Sequence, residues 1–248
     1  MIILLCYLGF AVVLSGLIAR AGHRSQVQIV SESPASPCSR VLIIGATGGT
    51  GRMLVSQALE RGLRVTALVR DRSRLDIDDP QLTIVQGDVL NASTLEAAMT
   101  GQDAVLSALG HKRFLGPTKI LSEGTRNILH AMEIHRVPRL ICETSLGIGN
   151  SVGRLGLYYT FFVIPVILAF YFWDKTRQEQ IIARSNVDWI IVRPAALTNR
   201  AKLGRIRVGR SVGSYFLTAT ISRADVADFM LNQLESNAYL RSAVGVCS

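Results

Sequence analysis

A chain of 248 residues accommodates one full-sized α/β domain with a short appendage, because a core of about 200 residues already buries most of its apolar surface. The net charge of +9 comes from scattered lysines and arginines without a nucleic-acid-binding signature, so nucleic acid is set aside; an anionic cofactor and anionic lipid explain the charge more simply. Cys6, Cys38, Cys142 and Cys247 are far apart and form no CxxC pair, and the histidines show no metal spacing, so neither a zinc site nor a disulfide framework is indicated and a reducing compartment fits.

Hydrophobic residues make up 49% of the chain, and their excess sits in residues 1–19 and 155–173. The first block, MIILLCYLGFAVVLSGLIA, carries no charged side chain and as a helix reaches about 28 Å, nearly a bilayer core. It predicts an N-terminal apolar helix, read over residues 1–24 as a membrane anchor. A cleaved signal segment is the alternative, since Ala19-Arg20-Ala21 resembles a small-x-small cleavage site. Arg20 and Arg24 follow the run, so the positive-inside tendency places the rest of the chain in the cytoplasm. Residues 25–39, polar with two prolines, read as a linker.

A domain is expected over residues 40–248. It opens with a β-branched run, Arg40 to Ile44, then a glycine turn, Gly45-Ala46-Thr47-Gly48-Gly49-Thr50-Gly51, and a helical pattern. Glycine permits the tight turn and lets the backbone approach a pyrophosphate, which then sits against the free N–H groups of the helix start. Leu63 to Val69 supplies the second strand of a βαβ unit. Where that strand ends, an NAD-specific protein offers a carboxylate to the ribose; this chain has Arg70, then Arg72 and Arg74, and a guanidinium matches a 2′-phosphate. NADPH is therefore expected over NAD. A third strand in LTIVQGDVL brings Asp88 and Val89 near the adenine, and a fourth, Asp103 to Gly110, brings Leu109 and Gly110 towards pyrophosphate and nicotinamide. The cofactor contacts expected are thus the glycine turn with Thr47 and Thr50, Arg70, Arg74, Asp88, Val89, Leu109 and Gly110.

Residues 155–173, LGLYYTFFVIPVILAFYFW, are long enough to suggest a membrane span, but a crossing there would place the two halves of one sheet on opposite sides of a bilayer. Pro165 also breaks the helical ladder. A helical hairpin or lid beside the nicotinamide pocket is expected, dipping into the membrane surface or shaping an apolar substrate site, with core packing or a dimer interface as the alternative. The stretch Arg193 to Arg210 reads as a solvated basic face, or a contact for anionic lipid.

Taken together, GATGGTG (45–51), VTALVRDRSRL (65–75), GDVL (87–90), GQDAVLSALG (101–110), SEGTRNIL (122–129), a strand ending in Thr144-Ser145, VDWIIVRPAALT (187–198) and SRADVADFML (222–231) resemble the atypical short-chain dehydrogenase/reductase group with NAD(P)H-binding Rossmann domains. Within it, the biliverdin IX-beta reductase (flavin reductase) type is most similar. The resemblance implies a doubly wound, mostly parallel Rossmann sheet with helices on both faces, and reductase chemistry. In the wider superfamily a Ser polarises the substrate carbonyl, a Tyr donates the proton, and a Lys four residues later makes that Tyr a better acid and holds the nicotinamide ribose. Carried over, these are Ser145, Tyr171 and Lys175, the last two sharing a helix face. Asn127 falls on the helix expected to support the lysine, and His111 follows the fourth strand, where it could face the cofactor. The biliverdin reductase type does not rely on such a pair, and Tyr171 sits in an aromatic run, so a packing role stays open. The expected activity is NADPH-dependent reduction of a small hydrophobic carbonyl, quinone-like or flavin-like substrate by a membrane-anchored enzyme. A non-catalytic NAD(P)H-binding sensor or membrane-complex assembly scaffold is the alternative, and oligomeric state is left open.

Overall fold

The computed structural model describes residues 9–17, 19, 38–114 and 116–248. In chain order these form β1 (Arg40–Ile44), α1 (Gly49–Glu60), β2 (Arg64–Val69), β3 (Leu82–Gln86), α2 (Ala92–Met99), β4 (Ala104–Ser107), α3 (Ile120–His135), β5 (Arg139–Glu143), a wide helix (Tyr159–Ile167), α4 (Ala169–Ala183), β6 (Asp188–Pro194), β7 (Ala196–Thr198), β8 (Arg207–Gly209), β9 (Thr220–Ser222), α5 (Arg223–Asn232) and β10 (Ser242–Cys247).

Strands whose faces are both covered read as continuous apolar runs rather than alternating ones. In β1, Val41 to Ile44 are all buried. Val41 and Ile43 join a layer with Leu54 of α1 and Val226 of α5, whereas Leu42 and Ile44 join Leu95 of α2, Ile128 of α3 and Ile182 of α4. The result is an 8-stranded sheet in the order β3-β2-β1-β4-β5-β6-β10-β8. Its neighbours pair parallel except β8, which runs antiparallel to β10 at one edge. β7 and β9 form a separate two-stranded parallel pair. The doubly wound, mostly parallel sheet expected from the sequence is therefore present. Strand order reverses between β1 and β4, and ligands of open α/β sheets bind in the crevice beyond the carboxyl ends of such a pair.

Of the anchor expected over 1–24, residues 1–8, 18 and 20–24 lie outside the described residues, as does the linker as far as residue 37. Residues 9–17 are helical and rest on the domain: Ala11 is buried, and Phe10 and Leu14 face the second apolar block across a cleft. Among the described residues no helix is long and apolar enough to cross a membrane; most of the expected anchor lies outside them.

The second block is not a hairpin but one broken helix. Pro165 has no N–H for the ladder; hydrogen bonding widens to the π pattern through Tyr159–Ile167, and the chain steps at Leu168 (φ −110°, ψ 11°) into α4. Arg193, read as part of a solvated basic face, is instead 2% exposed and paired with Glu179. It lies in the central strand β6, whose residues from Trp189 onward are all buried.

Candidate functional site

Gly45 turns the chain out of β1 at φ +80°, where a side chain would also collide with the Ala108 carbonyl. The Gly48 amide donates to the Gly45 carbonyl at 2.9 Å and closes the turn. α1 then starts with no side-chain cap and no acid in its first turn. Its first N–H groups stay free for an anion, next to exposed Gly48 and Gly49 and half-buried Thr47. Thr50 departs from expectation: its hydroxyl points into the protein and donates to Glu143 Oε1 at 3.1 Å, leaving only its backbone for a ligand. Arg223, at the start of α5, was not singled out from the sequence. Its Cδ and Nε come within 2.5 Å of where a side chain on Gly49 would stand, so it crosses the glycine turn, and its Nη1 donates to Asn199 Oδ1 at 2.6 Å.

Arg70 and Arg74 are exposed at the corner after β2. Asp71, the carboxylate between them, accepts from the Ser73 amide at 3.1 Å and hydroxyl at 2.6 Å, which occupies it locally. Arg52 adds a guanidinium that sequence reasoning missed: it donates to the Arg74 carbonyl and, at 3.4 Å, to the Thr47 carbonyl, strapping the glycine turn to this corner. Its only signal is its position directly after Gly51. Asp88 is half-buried and accepts from the Leu90 amide at 2.9 Å. Val89 and Leu109 are buried in the layer of α2 and α3. Asn127 supports the Val89 carbonyl at 3.0 Å rather than the lysine.

Tyr171 and Lys175 do meet. Lys175 Nζ lies 5.3 Å from the centre of the Tyr171 ring, and the Tyr171 hydroxyl is 3.5 Å from where a side chain on Gly110 would stand. The His111 ring meets Tyr171 edge-on at 4.9 Å, with Phe114 at 5.7 Å on the same ring. His111 Nε2 is 2.9 Å from Thr118 Oγ1. Burial holds the His111 imidazole below its ordinary value; Lys175 and Arg113 add to this and Asp174 opposes it. Beyond Phe114 opens an apolar cleft of about 550 Å³, lined by Phe10, Leu14, Pro165, Phe170 and Trp173 among others. The Ser145 hydroxyl, just past the end of β5, donates to the Leu146 carbonyl at 2.9 Å.

Beneath Tyr171, Lys175 is buried and Nζ donates to the Glu143 carbonyl at 3.5 Å. Burial alone would pull this ammonium down, but Tyr171, Glu143, Cys142 and Glu179 outweigh it and hold it above the ordinary lysine value. Burial pushes the Glu143 carboxyl up, opposed only in part by Lys175, the Thr50 hydroxyl and Arg223. The Cys142 thiol is pushed up to about 12 by burial, which keeps it protonated and unreactive. Among the described residues no group of His, Cys, Asp and Glu could hold a metal ion. An uncapped helix start behind a glycine turn, guanidiniums at the far corner and a crevice at the strand-order reversal together fit a dinucleotide.

Solved structures share the fold. A short-chain dehydrogenase/reductase from Veillonella parvula, in complex with NADP, superposes with a TM-score of 0.72 at 20% identity, over 86% of this chain and 95% of that one. ChuY, an anaerobilin reductase from Escherichia coli O157:H7, gives 0.69 at 22% identity, over 84% and 96%. In sequence, an uncharacterized chloroplastic protein of Arabidopsis thaliana is 31% identical over 180 residues, 67% of this chain and 62% of that protein. The photosystem II assembly factor Ycf39 of Synechocystis is 25% identical over 217 residues, 84% of this chain and 62% of the factor. The chain thus spans less than two thirds of the length of these curated relatives. The model of the NAD(P)H-binding family matches residues 45–237, from the glycine turn past α5, and the chain belongs to that family.

Proposed function

We propose that the chain is an NADPH-dependent oxidoreductase that reduces an apolar carbonyl, quinone-like or flavin-like acceptor. The observation that carries this reading is the Tyr171 hydroxyl beside Gly110, at the strand-order reversal, with Lys175 one helical turn along. When bound, NADPH supplies the hydride. Tyr171 delivers the accompanying proton from its hydroxyl, and the Lys175 ammonium stabilises the negative charge left on the ring. The start of α1 and Arg223 bind the diphosphate; Arg52, Arg70 and Arg74 favour the 2′-phosphate, the nearby Asp71 being occupied by Ser73. Ser145 lines the acceptor side, and the cleft behind Phe114 takes an apolar acceptor and excludes water.

The test is titration of the full chain with NADPH and NADH by fluorescence, then NADPH oxidation against flavins, quinones and lipophilic carbonyls. Tyr171→Phe is expected to lower kcat by about 10²-fold or more with NADPH affinity unchanged. Unchanged turnover in that variant removes the tyrosine from the mechanism, though hydride transfer to a flavin or biliverdin can proceed without it. A second reading, a non-catalytic NAD(P)H-binding assembly scaffold, is favoured by the similarity to an assembly factor over most of this chain; tight binding without turnover on any acceptor would support it. Absence of binding to either nucleotide would overturn both.

A further inference from the structure

The wide helix turns only Ile164 and Pro165 fully inward. Tyr158, Phe162 and Val166, four residues apart, face outward at 62%, 53% and 50% exposure. The rings of Tyr158 and Phe162 stack at 5.9 Å, so the outward residues make a ridge rather than separate projections. At one end the ridge continues into the loop carrying Phe216 and Leu217, each 76% exposed, where the Leu157 amide donates to the Phe216 carbonyl at 3.4 Å. At the other it reaches Phe170 and Trp173 at the mouth of the apolar cleft. Contiguous exposed apolar surface of this kind marks a docking site.

Charge decides between occupants. The segments that build and border the ridge, residues 104–122, 144–173 and 199–224, contain no Asp or Glu, whereas Lys112, Arg113, Arg154 and Arg210 lie within them. The Arg154 guanidinium sits 4.8 Å from the centre of the Tyr215 ring, beside Phe216. A second copy docked by this face would set like charges against like. Anionic headgroups complement the basic margin, and Tyr, Trp and Phe suit the interface between headgroups and acyl chains. The helix at 9–17, preceded in sequence by the uncharged apolar run MIILLCYL, lines the same cleft through Phe10 and Leu14. We infer that this ridge docks the protein on the surface of an anionic phospholipid bilayer, its aromatic residues in the interface and without crossing it.

Cosedimentation of the full chain with vesicles of phosphatidylcholine and phosphatidylglycerol tests this. The protein is expected to pellet with these vesicles, less with phosphatidylcholine alone, and to be released by salt. Phe162→Asp/Phe216→Asp/Leu217→Asp is expected to raise the lipid concentration for half-binding roughly tenfold or more, with NADPH binding and melting unchanged. Lys112→Glu/Arg113→Glu, at exposed positions away from the ridge packing, is expected to weaken binding to the anionic vesicles only. Wild-type protein left in the supernatant, or binding unaltered in both variants, would overturn the inference. So would a lipid-free dimer in light scattering that the triple variant dissociates, which would assign the ridge to a second copy. None of these outcomes depends on turnover, so the docking surface and the catalytic reading fail separately.

Discussion

Replacing Arg193 is expected to be among the most damaging single changes, and the size of the effect follows from its surroundings. Arg193 and Glu179 are each 2% exposed, joined through Nη2 to Oε2 at 2.6 Å and Nε to Oε1 at 2.9 Å. Thr144 Oγ1 donates to the same carboxylate at 2.6 Å, and Asn150 Oδ1 accepts from the guanidinium at 2.5 Å. An exposed pair would contribute little, but here Arg193→Met leaves the Glu179 charge buried without its hydrogen-bonded counter-ion, a cost of about 3–5 kcal/mol. For a domain of this size each kcal/mol moves the melting midpoint by roughly 2–4 °C, so a fall of about 6–20 °C is expected. Arg193→Met/Glu179→Met removes both charges and should recover most of the loss, short of about 1 kcal/mol for each hydrogen bond that Thr144 and Asn150 give up. Calorimetry on wild type, both single variants and the double variant closes the cycle. A midpoint for Arg193→Met within about 2 °C of wild type, or a double variant no more stable than the single, would refute the argument from charge burial.

Replacing both Arg70 and Arg74 with alanine should weaken NADPH roughly tenfold per guanidinium, about 1.4 kcal/mol each, while leaving NADH unchanged; equal weakening of both nucleotides in a fluorescence titration would dismiss the 2′-phosphate contact. Gly45→Ala forces a side chain into a left-handed backbone position against the Ala108 carbonyl, so loss of dinucleotide binding and a lowered melting midpoint are expected. Wild-type affinity in that variant would show that the turn can relax. Burial would raise the Asp225 carboxyl, yet the Ser222 hydroxyl, the Gly204 and Leu203 amides and Lys202 hold it below the ordinary 3.8. Its contribution to stability is complete above that value and is lost as pH falls through the depressed native one. Asp225→Asn should therefore flatten the acid side of the curve of melting midpoint against pH; an unchanged slope would assign the acid sensitivity elsewhere.

The central part of the fold was legible because each of its signals is local. Val41 to Ile44, the glycine turn and the run that ends at Val69 declare strand, turn, helix and strand without knowledge of the rest. The three-residue strands β7, β8 and β9 carry no periodicity to read, and their pairing depends on where β6 and β10 deliver them. Nor does an apolar run distinguish a hairpin from a helix widened at Pro165, since both bury similar residues. Arg193 was misread for a related reason: an arginine among arginines suggests a surface, but its neighbours Trp189 to Val192 run through the centre of the sheet.

The site divided the same way. Tyr171 and Lys175 could be paired from spacing alone because one helix carries both. Glu143 had no local signal, although it links the two ends of the proposed cofactor site. Its side chain accepts from Thr50, 93 residues earlier, and its carbonyl accepts from Lys175, 32 residues later. The glycine turn and α4 are thus tied to one residue at the end of β5. Arg223 belongs to the same class, reaching Gly49 only because α5 packs beside α1. Both are polar groups whose purpose lies in a partner that the topology alone brings near. A charge at the end of a buried strand, or at the start of a helix whose first-turn acid is held by other partners, as Ser222, Leu203 and Gly204 hold Asp225 in α5, is the sequence feature to examine for such links.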